Sequence, residues 1–199
     1  EQRVQVNCTQ AVTALTVSRA PVRRSWTGLE HRNLAGRIFG RAADVQAAWF
    51  DAIALVDTPH FFFVDDDDEL PPDYLSVLAR CLEAGSAIAY TDEQVGPARR
   101  HRAPYSQAAH LKDPALVHHL VLCETAAARA AVAALPRGDF WPEMLLYWHM
   151  AAAGGATHVP EVGYLWHRRA TGLHAQWFTV RGMHNARAWC AQNRSAGTP

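Results

Sequence analysis

His60-Phe61-Phe62-Phe63-Val64-Asp65-Asp66-Asp67-Asp68-Glu69-Leu70-Pro71-Pro72-Asp73-Tyr74-Leu75 decides the reading of this chain. A short, continuous apolar run rich in aromatics predicts a buried central strand. Five acids follow with no spacer. Pro71-Pro72 then opens a helix, where proline is tolerated in the first turn. Leu75, Leu78 and Leu82 give that helix an apolar stripe, and Gly85 ends it. Residues 87–91 (Ala-Ile-Ala-Tyr-Thr) predict the next strand, so the stretch has the size of a βαβ unit.

Outward from this unit, residues 3–8 alternate as a half-buried strand would, and residues 12–18 are rich in β-branched types. Residues 19–40, with Pro21, Gly28, Gly36 and Gly40, predict loop. Val45, Ala48, Trp49, Ala52, Ile53 and Val56 mark a helix over 43–56, stopped at Thr58-Pro59. Residues 95–114 predict a long surface loop. Residues 116–123 are apolar around His118-His119, and 124–134 predict an Ala-rich helix. A further helix over 142–153 is closed by Gly154-Gly155. Two short strands are expected around Pro160 within 156–168, and a C-terminal helical tail over 175–199. Alternating strands and helices predict an α/β fold with a mostly parallel sheet, as a single domain over 1–199. In such sheets ligands bind beyond the carboxyl ends of the strands.

The composition narrows the function. The 199 residues carry 19 basic and 19 acidic side chains and 49% hydrophobic residues. This excludes a disordered chain and a broad nucleic-acid or membrane surface. Lys112 is the single lysine, in Leu-Lys-Asp-Pro, so a P-loop is absent. Cys8, Cys81, Cys123 and Cys190 have no metal-like spacing and predict thiols in a reducing, cytoplasmic setting. No apolar run reaches membrane length, and Glu1-Gln2-Arg3-Val4 has no signal-peptide character.

Carboxylates crowded at a strand end call for a cation. An EF-hand counted from Asp65 would need glycine and an acid where Leu70 and Ser76 stand. An Asp-x-Asp phosphatase would need Thr or Val at Glu69 and a well-placed lysine. It remains a weaker alternative. An Asp-x-Asp diphosphate site needs only a divalent ion, Mn2+ or Mg2+, shared between carboxylates and a nucleotide diphosphate.

Residues 61–75 resemble the Asp-x-Asp segment of family 2 glycosyltransferases of the GT-A fold. Ala87-Ile88-Ala89-Tyr90-Thr91-Asp92-Glu93 is similar to that family's next strand. Residues 140–154 look like its "E-D-x-x-L" helix and 159–169 like its "v-P-e-v-l-Y-x-y-R" strand. The likeness covers about 43–170. It implies a metal-dependent, inverting transfer of a sugar from a UDP- or GDP-linked donor to an acceptor.

By position, the resemblance assigns Asp65 to metal or ribose, Asp67 to the metal and Asp66 to the donor. His167 is implied as a third metal ligand, with His174 as competitor. Glu143 is implied as the base, with Pro142 replacing the first acid of the pair. Asp92, Glu93 and Trp141 fall on the acceptor side, and Arg168 near the diphosphate. Ser18 and Arg19 fall near the nucleobase. The chain departs from the family at Ala48-Trp49-Phe50, where "A-R-N" is usual, and lacks "D-D-G-S-x-D". A non-catalytic nucleotide-sugar binding protein of the same fold is the alternative from another class.

Overall fold

Phe61 and Phe63 point to one face of a sheet and Phe62 and Val64 to the other, and both faces are buried. That is why the run has no polar alternation. The protein is described here from a computed structural model, over residues 12–18, 26, 28–168, 173 and 176–193. The expected strand over 3–8 lies outside these residues.

Among the described residues the sheet has seven strands: β1 (Val12–Val17), β2 (Glu30–Leu34), β3 (His60–Phe63), β4 (Ile88–Val95), β5 (Ala98–Arg100), β6 (Val121–Glu124) and β7 (Ala156–Trp166). The main order is β2-β1-β3-β6-β4-β5, and β7 runs along β4. β1, β2, β3, β4 and β7 share one direction, whereas β5 and β6 oppose it. β3 and β4 are therefore parallel but not neighbours. β6 lies between them, pairing Phe61 with Cys123 and Ala89 with Leu122.

Helices cover both faces. On one, α1 (Ala42–Ala54), α4 (Thr125–Ala134), α5 (Pro142–Gly154) and α6 (Trp177–Gln192) bury the larger core. On the other, α2 (Tyr74–Glu83) lays Val77, Leu78 and Cys81 on Phe62 and Val64. α3 (Gln107–Lys112) is short. The start of α1 is fixed by Asp44, which accepts from the backbone N–H groups of Gly40 and Arg41. Pro142 opens α5.

Three expectations need correction. Residues 19–40 are not all loop, because Glu30–Leu34 pairs in parallel with β1; every residue of this edge strand is only half-buried, so no apolar pattern betrays it. Residues 95–114 hold β5 and α3 rather than a plain loop. β7 is one strand, not two. Its pairing to β4 shifts register at Thr91–Glu93, and this irregularity takes up Pro160. The C-terminal helix falls where it was expected, as α6, with Phe178, Gly182, Ala186 and Cys190 buried along it.

Candidate functional site

Beyond the carboxyl ends of β1 and β3 the sheet opens into a cavity of about 290 Å³. Its walls come chiefly from the end of β1, α1, the acidic turn after β3, the segment entering β6, the start of α5 and the end of β7. Ser18, Asp65, Asp66, Asp67, His118, His119, Trp141, Glu143 and His167 all line it. Trp49 stacks on Phe63 at 3.7 Å and forms part of the floor.

The five acids divide by burial. Asp68 is wholly buried, taking the backbone N–H of His167 at 2.7 Å. Glu69 bridges to Leu165 through backbone bonds in both directions. The turn is thus stitched to the end of β7, while Asp65 and Asp66 stay exposed to the cavity and Asp67 is half-buried. The Asp65 carboxyl is pushed up to about 8 by desolvation and by repulsion from Asp68 and Glu143. Its side chain nonetheless remains 59% exposed, so the repulsion is the firmer cause. A cation would relieve it.

Opposite the acids lies a pair of histidines whose role the sequence did not reveal. His119 and Leu120 have left-handed backbones, with φ of 32° and 31°. Side chains adopt this conformation at a cost of order 1–3 kcal/mol. It turns the chain into β6 and drives both imidazoles into the cavity. His119 Nδ1 lies 2.8 Å from Glu93 Oε2, and its Nε2 lies 3.9 Å from Asp65 Oδ2. His118 stands 3.4 Å from Glu93 and 3.9 Å from Glu143. His119 stacks on Tyr164 at 4.4 Å, and the Tyr164 hydroxyl accepts the Asp65 N–H at 2.9 Å.

Burial sets the charges here. It pulls the His119 imidazole down to about 3, helped by neighbouring His118. For His118 burial acts the same way, but Glu143 and Glu93 outweigh it and raise the pKa. Glu93 is held far below the usual carboxylate range. Burial opposes its charge, yet hydrogen bonds and attraction from His118 and His119 prevail. Arg102 adds a 2.5 Å contact to its other oxygen.

The remaining expected residues separate. Glu143 sits in the first turn of α5 and accepts the Trp141 indole N–H at 2.9 Å. Ser18 is buried at the cavity wall, and its hydroxyl accepts from Asn33 Nδ2 at 3.0 Å. Glu93 touches the cavity histidines, whereas Asp92 points elsewhere: it is fully buried against Arg99, His101 and His158 and is not in the cavity wall. Arg168 is exposed and lies over Trp166 at 5.8 Å. His167 is half exposed, 3.8 Å from Glu69. Arg19 and His174 lie outside the described residues. Cys81, Cys123 and Cys190 are buried free thiols, and Cys8 is not described.

Among the described residues, two groups of side chains hold three metal-ligating atoms within 4.8 Å of one another: Asp65, Asp68 and His119, and Glu93, His118 and His119. Among the described residues no helix is long and apolar enough to cross a membrane.

No family model and no curated protein matches the sequence. Among solved structures, the fold is similar to that of S. aureus TarS, a glycosyltransferase. TarS 1–349 superposes with a TM-score of 0.55 at 10% identity, covering 78% of this chain and 60% of that one. Its complex with UDP-GlcNAc gives 0.57 at 8% identity, covering 83% and 61%. Its complex with UDP gives 0.55 at 9% identity, covering 80% and 61%. The likeness is one of fold, and the chain spans about 60% of the TarS fragment's length.

Proposed function

We propose that this chain is a glycosyltransferase of the GT-A fold, related to family 2. It would move a sugar from a UDP- or GDP-linked donor to an acceptor hydroxyl with inversion. The observation that carries the reading is the convergence of Asp65, Asp66, Asp67 and Glu143 on one cavity beyond β3. The shared fold with a protein solved with UDP-GlcNAc supports it.

The residues fit a divalent cation, Mn2+ or Mg2+, because acids that repel one another face an imidazole across the turn. Asp65, with Asp67 or Asp68, would hold it. Bound there, such an ion neutralises charge on a diphosphate leaving group. Asp66 and Ser18, both in the cavity wall, would meet the donor, and Arg168, exposed just beyond the end of β7, would meet the diphosphate. Glu143 would take the proton of the acceptor hydroxyl as that oxygen bonds to the anomeric carbon and the bond to the diphosphate breaks. The Trp141 indole holds this carboxylate in one orientation. The buried free thiols support a reducing, cytoplasmic setting.

The test is calorimetric titration of UDP and GDP with and without Mn2+, repeated on Asp67→Ala. Nucleotide binding that needs the ion and weakens in the variant is the expected result. Absence of binding of either nucleotide under every condition would overturn the reading.

A further inference from the structure

We propose that the acceptor hydroxyl is seated between His118 Nε2 and Glu143 Oε1, with His118 holding the oxygen from which Glu143 draws the proton. The inference deepens the transferase reading and rests on it for the reaction. The seat itself rests on the geometry of these two side chains.

The two atoms lie 3.9 Å apart. That is too long for a direct hydrogen bond, but an oxygen set beside the line between them reaches both at ~2.8 Å. Both side chains line the cavity and are largely covered, with 21% of His118 and 14% of Glu143 left exposed. Each is held from behind. The Trp141 indole donates to Glu143 Oε2 at 2.9 Å, which leaves Oε1 toward His118. His118 Nδ1 lies 3.4 Å from Glu93 Oε2, its ring packs on His119 at 3.6 Å, and it meets Trp166 edge to face at 5.5 Å. Glu93 is wholly buried, with Arg102 at 2.5 Å on its other oxygen. The ring thus presents Nε2 toward Glu143.

The pair suits a hydroxyl in particular. Both ring nitrogens of His118 face carboxylates. Burial disfavours its charge, but Glu143 and Glu93 prevail, so Nε2 carries an N–H. A hydroxyl oxygen accepts that N–H with one lone pair and donates its own hydrogen to Glu143. Its second lone pair is left for the anomeric carbon. As the new C–O bond forms, the hydroxyl proton passes to Glu143 Oε1, and the electron pair of the breaking bond leaves with the diphosphate. His118 keeps its proton throughout and acts by orientation. His119 faces Asp65 across an equal gap of 3.9 Å, but its side chain is only 9% exposed and lies flat against Tyr164, so the cavity opens onto His118 instead.

The experiment has a structural and a kinetic arm, both on the full chain. A crystal structure without nucleotide is expected to show an ordered water within ~3.2 Å of both His118 Nε2 and Glu143 Oε1. A direct hydrogen bond between the two side chains, or no oxygen within reach of both, overturns the inference. The kinetic arm uses water as the acceptor and follows release of UDP from UDP-GlcNAc, or of GDP from GDP-mannose, with Mn2+ present. In His118→Ala, kcat falls roughly 10²-fold while the donor KM is kept, and added imidazole restores part of the rate. His118→Gln, which retains an N–H, loses less, and it decides if His118→Ala does not fold. Because both groups act on one oxygen, the double variant His118→Ala with Glu143→Gln is hardly slower than Glu143→Gln alone. Unchanged kcat in the His118 variants, losses that multiply in the double variant, or a loss carried by KM alone overturns the inference. The two readings fail separately. Absence of UDP and GDP binding sinks the transferase reading; in that case, or if neither donor is turned over, the bridging oxygen alone decides the seat. Donor hydrolysis that needs Glu143 but not His118 sinks the seat and leaves the transferase reading standing.

Discussion

The indole N–H of Trp141 donates to the Glu143 carboxylate at 2.9 Å across the first residue of α5, Pro142. The other carboxylate oxygen faces His118 at 3.9 Å. Glu143 is thus held from both sides at the cavity wall. In Glu143→Gln, sugar transfer is expected to fall by roughly 10²–10⁴-fold, the usual worth of a general base, while nucleotide binding is kept. Trp141→Phe retains the ring and loses the donor, so it should lower turnover less and leave binding alone. Equal turnover in wild type and Glu143→Gln would remove the glutamate from the chemistry; equal nucleotide binding with no turnover of any donor by either form would favour a binding protein.

Asp92 behaves as a structural anchor. It joins Arg99, His101, His158 and the Arg102 backbone, which ties the β4–β5 hairpin to β7. Asp92→Asn should cost roughly 1–3 kcal/mol, a fall of about 2–12 °C in Tm. Nucleotide affinity of the folded protein should not change. Calorimetry of both properties on one sample tests this, and a loss of affinity at unchanged Tm would return Asp92 to the ligand site.

His110 gives a pH dependence far from the cavity acids. Burial beside Tyr105 pulls its imidazole down to about 4, against an opposing pull from Asp113. The unfolded chain takes up this proton near pH 6.5, the folded chain only near 4. Stability is therefore full above about pH 6.5, declines as pH falls toward 4, and loses at most about 3 kcal/mol from this group. Thermal melts of wild type and His110→Phe should converge or cross between pH 7.5 and 4.5. A gap that stays constant over that range would exclude the effect.

Gly182 is the point where α6 touches α1. A Cβ there would lie 2.5 Å from the Ala42 Cβ and 3.3 Å from the Trp141 nitrogen, whose N–H the Gly182 carbonyl accepts. Gly182→Ala must push the helices apart, at roughly 1–3 kcal/mol. Because Trp141 moves with it, turnover should drop along with Tm. Ala at Gly40, where the added Cβ meets only the Asp44 carboxylate at 3.8 Å, is the neutral comparison.

The central strand, the acidic turn and helices α1, α2, α4 and α5 were legible because burial leaves a periodic trace. Phe61 to Val64 is apolar on both faces, and α1 carries its stripe through Val45, Ala48 and Ile53. β2 left none, since Glu30-His31-Arg32-Asn33-Leu34 pairs through its backbone at an edge. His118 and His119 stood in plain view inside an apolar segment. What the sequence could not say is that β6 runs against its neighbours, which brings the start of that strand beside the ends of β3 and β4. The signal available was a histidine pair directly before a short buried strand. Histidines near residue 170 drew the expectation away from it.

The wedge of β6 between β3 and β4 also orders events in time. Residues 60–63 and 88–95 are made long before residues 121–124, and until these arrive neither strand has its shared partner. Pairings of such sequence separation form late. The acids of the turn therefore exist in the growing chain without the imidazoles that face them. A nascent protein halted before residue 118 would hold a repelling carboxylate cluster beside the edges of β3 and β4 that β6 later covers.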